Sequence, residues 1–162
     1  MHVGITGHQR LEDEDAWIWV AVTMRNELAA FPEPLIGVTS LAIGADQLFA
    51  RLMLERGGSL HVVLPYADIE RSFSPDDART YHNLVAHAAT VEVLDRGGSD
   101  EDAYLAAGER VVDLSDVMLA VWDGQAAKGK GGTGDIVAYA RGRRRPTIHI
   151  SPAGTVTRLP TG

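Results

Sequence analysis

No cysteine occurs among the 162 residues, so a disulfide framework and thiolate zinc sites are both excluded. Positive charge is also short. Lys and Arg number 15 against 22 Asp and Glu, giving a net charge of −7, the reverse of what a general nucleic-acid binder needs to displace counterions. The expectation is therefore no general nucleic-acid binding. A small anionic ligand is not excluded, because local backbone dipoles rather than net charge can hold a phosphate. No apolar stretch approaches the roughly 20 residues needed to cross a bilayer. The opening Met1-His2-Val3-Gly4-Ile5 shows no basic leader ahead of an apolar run, so a cytoplasmic protein without a membrane partner is expected.

Several catalytic signatures are missing as well. There is no G-x-G-x-x-G after the first apolar run, which disfavours an ordinary NAD-dependent dehydrogenase. A P-loop and a G-x-S-x-G nucleophile elbow are absent too. His61, His82, His87 and His149 do not fall at metal-ligand spacing, so no metal site and no required cofactor is expected.

What is present is an alternation of short apolar runs with longer amphipathic stretches. Strands are predicted at Val3–Thr6, Leu35–Thr39, Leu60–Leu64, Thr90–Leu94, Val117–Trp122 and Thr147–Ile150. Most are almost continuously apolar, as strands of a parallel sheet covered on both faces should be. Asp13 is the predicted cap of a helix to about Ala30, with Trp17, Val20, Ala21, Met24 and Leu28 as its apolar stripe. Ser74-Pro75-Asp76-Asp77 and Ser99-Asp100-Glu101-Asp102 each place a cap before a carboxylate three residues on. Further helices are expected over about Ala45–Arg56 and Asp135–Arg141.

The order implies an α/β protein with a doubly wound, mostly parallel six-stranded sheet in a three-layer αβα arrangement. Residues 1–150 read as one domain, and 151–162, rich in Pro, Gly and Thr, as a loose C-terminal tail. Ala106, Ala107 and Gly108 form a small-residue stretch suited either to a subunit interface or to close helix–sheet contact.

In such sheets ligands bind beyond the carboxyl ends of the strands, so the residues following each strand carry the functional reading. After the first strand, Gly7 permits close backbone approach, while His8 and Arg10 offer donors. After the second, Ser40 ends the strand, and Gly44-Ala45-Asp46 opens a helix whose free N–H groups suit an anion. Asp46 is placed either to accept ribose hydroxyls or simply to complement the helix dipole. After the fifth, Asp123-Gly124-Gln125-Ala126-Ala127-Lys128-Gly129-Lys130-Gly131-Gly132-Thr133-Gly134-Asp135 is a glycine-rich turn between a strand and a helix. Bare backbone there can wrap a phosphate, with Gly131, Gly132, Thr133, Gly134 and Asp135 as the contacting residues. Pro65-Tyr66 and Trp122 are candidate aromatic surfaces for a base. The run Arg141-Gly142-Arg143-Arg144-Arg145 reads as a solvated helix end.

Ile5-Thr6-Gly7-His8-Gln9-Arg10, Gly44-Ala45-Asp46 and the glycine-rich turn together resemble the Rossmann-like nucleotide-binding superfamily of the Lonely Guy (LOG) phosphoribohydrolases and DNA-processing protein A. The likeness is to its branch of small nucleotide-binding proteins. The resemblance implies a nucleotide or nucleotide-sugar ligand with its phosphate on the third loop, and a homo-oligomer. The LOG signature P-G-G-x-G-T-x-x-E falls on Lys130–Ala138, with alanine where the family carries its glutamate. Binding or sensing of a phosphorylated nucleoside is therefore the leading expectation. The rival is cleavage of an N-glycosidic bond, with Asp135 or Asp46 as the catalytic carboxylate and Asp123 beside them.

Overall fold

All five residues of Val117–Val121 are buried, and their side chains divide between two opposite faces. Val117, Leu119 and Val121 join one hydrophobic cluster and Met118 the other, as the period of two in a strand requires. This strand therefore lies at the centre of a sheet covered on both sides. The computed structural model describes Met1–Gly162. In chain order its elements are β1 (His2–Gly7), α1 (Ala16–Ala29), β2 (Ile36–Thr39), α2 (Ala45–Glu55) and β3 (Ser59–Leu64). A 3-10 turn (Ile69–Ser72), α3 (Pro75–Ala86), β4 (Thr90–Val93) and α4 (Asp100–Leu114) follow. The chain ends with β5 (Val117–Val121), α5 (Thr133–Gly142), β6 (Thr147–Ser151) and β7 (Thr155–Leu159).

The sheet runs β4-β3-β2-β1-β5-β6-β7. The first six strands are mutually parallel, and β7 pairs antiparallel with β6. The architecture is the doubly wound α/β arrangement expected, with one more strand. The segment read as a loose tail supplies it: Thr155–Leu159 pairs in register with Thr147–Ser151. That strand is mostly exposed at the sheet edge, so it has no apolar pattern to betray it.

Helices α1, α2 and α3 bury their apolar stripes on one face, around Phe49, Leu119 and Ile150. On the other face α4 and α5 enclose Val38, Val63 and Met118. The caps at Ser74 and Ser99 form as expected, each accepting an N–H from three residues on, and Ser99 with Asp102 makes a full capping box. Asp13 does not cap α1. Its carboxylate accepts the Asp15 N–H at 3.0 Å in a turn, and α1 begins only at Ala16. Helix α5 begins at Thr133 rather than Asp135. The small residues of α4 act inside the fold, since Ala107 is fully buried and Gly108 lies directly against Ile136 of α5.

Strand order reverses at β1, which has β2 on one side and β5 on the other, so a cleft opens beyond their carboxyl ends. Two glycines set the close packing beneath it. A Cβ on Gly7 would lie 2.5 Å from the Ala45 Cβ and 2.9 Å from the Val121 Cβ. Gly44 has φ of 82°, and a Cβ there would stand 2.6 Å from the His8 carbonyl oxygen and closer still to that of Gln9. Gly44→Ala thus combines a left-handed backbone with a clash against backbone. It should lower stability by about 2–3 kcal/mol; urea denaturation checks this, and an unchanged midpoint would contradict the geometry.

Candidate functional site

A crevice of about 960 Å³ opens at the switch point. The end of β1 with the turn that follows it (Thr6–Asp13), and Ser40 and Ala42 after β2, form one side. The β5–α5 loop forms most of the other, and Ser151 at the end of β6 with Pro152 and Ala153 beyond it complete that side. The first turns of α4 contribute Asp100, Glu101 and Tyr104.

The β5–α5 loop leads into α5, whose first two amides, on Thr133 and Gly134, make no hydrogen bond within the protein, and both residues line the crevice. This is the ordinary condition of a helix N-terminus and provides donors for an anion. Arg10 and Lys128, also on the crevice wall, take part in no ion pair or hydrogen bond. Lys130 is different. It is tied to Asp102 in the first turn of α4, a contact that raises the Lys130 pKa and lowers that of Asp102. Gly131, with φ of 82°, lies against the Leu105 N–H and the Glu101 carbonyl, so the loop is fastened to α4.

The glycines of this loop have a second cause. A Cβ on Gly132 would stand 2.9 Å from the Ala127 Cβ, and one on Gly134 2.9 Å from the Ala127 nitrogen. The loop folds back on itself here, and only glycine leaves room for it. Gly132 and Gly134 still line the crevice, as does Gly131.

Asp135 does not reach the crevice. Its Oδ2 accepts the Gly131 N–H at 3.0 Å, closing the turn ahead of α5. The Gly131 amide is therefore also engaged. Ala138, at the position of the LOG glutamate, is exposed on α5 and outside the crevice. The carboxylate chemistry expected of Asp135 is not available in this arrangement.

The helix start at Gly44-Ala45 is likewise occupied. The Ala45 N–H donates to the His8 carbonyl at 3.1 Å and the Gln47 N–H to the Ala42 carbonyl at 3.3 Å. The anion site expected there is thus largely filled by the protein's own backbone, and neither Gly44 nor Ala45 lines the crevice. Asp46 does, at its floor, but its Oδ2 already accepts the Thr39 hydroxyl and the Ser40 N–H, both at 3.0 Å. Burial pushes its carboxyl up to about 6, against the opposing pull of those hydrogen bonds. Asp46 shapes the β2–α2 turn rather than simply complementing the helix dipole.

His8 and Asp123 meet across the crevice wall. His8 Nε2 lies 3.1 Å from the Asp123 backbone nitrogen and 3.3 Å from its carboxylate. The Asp123 carboxylate accepts the Gln125 N–H at 2.9 Å, which holds it below the usual carboxylate range. Trp122 lies on the wall, its indole N–H donating to the Gln125 carbonyl and its ring tilted on His149 at 5.3 Å. Pro65 and Tyr66 stand outside. Tyr66 meets Tyr104 edge-on at 6.0 Å, and Tyr104 is the aromatic on the crevice wall. Burial raises the Tyr104 hydroxyl pKa. Neither Tyr104 nor the residues after β6 were marked by any motif.

No family model and no curated protein matches this chain. Solved structures share its fold. DNA processing protein A from Helicobacter pylori, studied for its single-stranded DNA binding mode, gives a TM-score of 0.65 at 19% identity over 92% of this chain. DNA processing protein A from Streptococcus pneumoniae gives 0.66 at 15% identity over 91%. TM1055 gives 0.54 at 14% identity over 90% of this chain and 71% of that one. This chain spans 64% and 49% of the two DNA processing proteins. At these identities the likeness is one of fold: this chain shares the three-layer α/β architecture of those structures.

The expectation of no general nucleic-acid binding is contradicted by one neighbour in fold, the Helicobacter pylori protein, which binds single-stranded DNA. A whole-chain charge was the wrong quantity. Nucleic-acid contact depends on local donors rather than on the total. No helix is long and apolar enough to cross a membrane.

The raised Asp46 pKa has a stability consequence. Between the unfolded value of 3.8 and the folded value of about 6, the folded state holds a proton that the unfolded state has released. Stability therefore falls as pH rises through this window. Relative to Asp46→Asn, the wild-type protein should lose about 2–3 kcal/mol between pH 4 and 7. Parallel urea titrations across that range check it, and a constant difference between the two proteins would contradict it.

Proposed function

We propose that the crevice binds a phosphorylated nucleoside, with the phosphate at the start of α5 and the nucleoside extending towards Tyr104 and Trp122. The observation that carries this reading is the convergence of unsatisfied donors. The Thr133 and Gly134 amides and the Arg10 and Lys128 side chains all border one cavity. Charge-assisted hydrogen bonds from such groups are the strong ones, and the helix dipole adds to them. Binding is favoured over hydrolysis because Asp135 is tied to Gly131 and Ala138 bears no carboxylate.

A second reading is favoured by the Helicobacter pylori relative, which binds single-stranded DNA. The same donors would then hold one phosphate of a longer strand, and the aromatic walls would stack on its bases.

Thermal shift with nucleoside 5′-monophosphates and with the matching nucleosides tests the first reading. The phosphorylated compounds should raise the melting temperature, and saturation at 100 times Kd should add about 2.7 kcal/mol. Arg10→Ala and Lys128→Ala should each weaken binding about tenfold. Release of free base would favour hydrolysis instead. Fluorescence anisotropy with a labelled oligothymidylate tests the second. Oligonucleotide binding sensitive to both substitutions, with no response to any mononucleotide, would replace the first reading by the second.

A further inference from the structure

Helix α1 carries two apolar stripes, and only one of them faces the core. Val20, Met24 and Leu28 are buried against the sheet and α2. A second stripe, turned well away from these, contains Asp15, Ile18, Val22, Arg25 and Ala29, all exposed. Ile18 is 69% exposed and Val22 49%, the two most exposed large hydrophobic residues in the protein. The spacing is three, four, three and four residues, which is the spacing of a helix–helix seam. A solvent-facing helix surface has no intrinsic reason to keep that pattern with isoleucine and valine at its centre.

The stripe is also self-complementary. Asp15 and Arg25 lie equally far on either side of residue 20, and so do Ile18 and Val22. If two copies of α1 pack antiparallel about a two-fold axis at that level, each Ile18 meets the partner's Val22, and each Asp15 meets the partner's Arg25. An isologous contact requires this kind of reciprocity. Both charges are available for it. Asp15 makes no capping bond to α1, and Arg25 is held only by an exposed pair with Glu55 at 3.4 Å.

We infer that the outer face of α1 is a homodimer interface, occupied by α1 of a second copy in antiparallel orientation. This assigns self-association to a surface other than the small residues of α4, which are consumed inside the fold. One helix seam is a small contact area, so association belongs in the micromolar range.

Sedimentation equilibrium of the full chain tests the proposal. The wild-type mass should rise towards a dimer with concentration, and Val22→Asp should remain monomeric while its circular dichroism is unchanged. Asp15→Arg and Arg25→Asp should each weaken association about tenfold, and the double substitution should restore it to within about threefold. Because the chain has no cysteine, orientation can be read directly. An oxidised mixture of Ile18→Cys and Val22→Cys proteins should cross-link mainly between unlike variants. A wild-type protein monomeric at every concentration, a dimer indifferent to Val22→Asp and to both charge reversals, or cross-links mainly between like variants would each overturn the inference.

Discussion

The hydrogen bond from the Ala45 N–H to the His8 carbonyl governs the ligand-facing rim. It forms because the β1–α1 turn lies directly on the start of α2, an approach that Gly7 and Gly44 alone permit. That approach spends the donors of one helix terminus on the protein itself. It also sets Asp46 at the floor of the crevice, held by donors from Thr39 and Ser40. The helix-terminus amides left without an internal partner on the crevice wall are therefore those of α5, across the switch point.

The electrostatics of the cleft follow the same division. Of the cations on the glycine-rich loop, Lys130 is committed to fastening the loop on α4, whereas Lys128 is left unpaired. Carboxylates are numerous around the opening, but Asp102 and Asp135 are turned into structural bonds. The wall itself still carries Glu12, Asp13, Asp100, Glu101 and Asp123 beside Arg10, Lys128 and Lys130, so the free donors stand in an acidic surround. A total charge describes solubility and long-range attraction, and says little about a few ångströms of wall.

How much of this was legible in the residues depended on whether the cause was local. The inner parallel strands were visible because both their faces are covered, leaving apolar runs, and β4, exposed at the sheet edge, only by its β-branched residues. Ser74 and Ser99 were visible because a cap and its carboxylate lie within one turn. The importance of the β5–α5 loop could be read from its glycines, although half of their reason, the fold-back of Ala127, could not. β7 was missed because an exposed edge strand needs no apolar pattern and follows a Pro- and Gly-containing turn. The roles of Asp135, Asp46 and Tyr104 were illegible for a common reason. Each is fixed by neighbours from other elements or by burial, and spacing along the chain records neither.

The reversed direction of β7 has a geometric corollary. Leu159 pairs with Thr147, at the foot of β6, while the amino group of Met1 donates to the Pro34 carbonyl just ahead of β2. Both ends of the chain thus emerge on the side of the sheet opposite the cleft. An affinity handle, a fluorophore or a surface tether attached at either end would leave the cleft mouth unobstructed and pointing into solution.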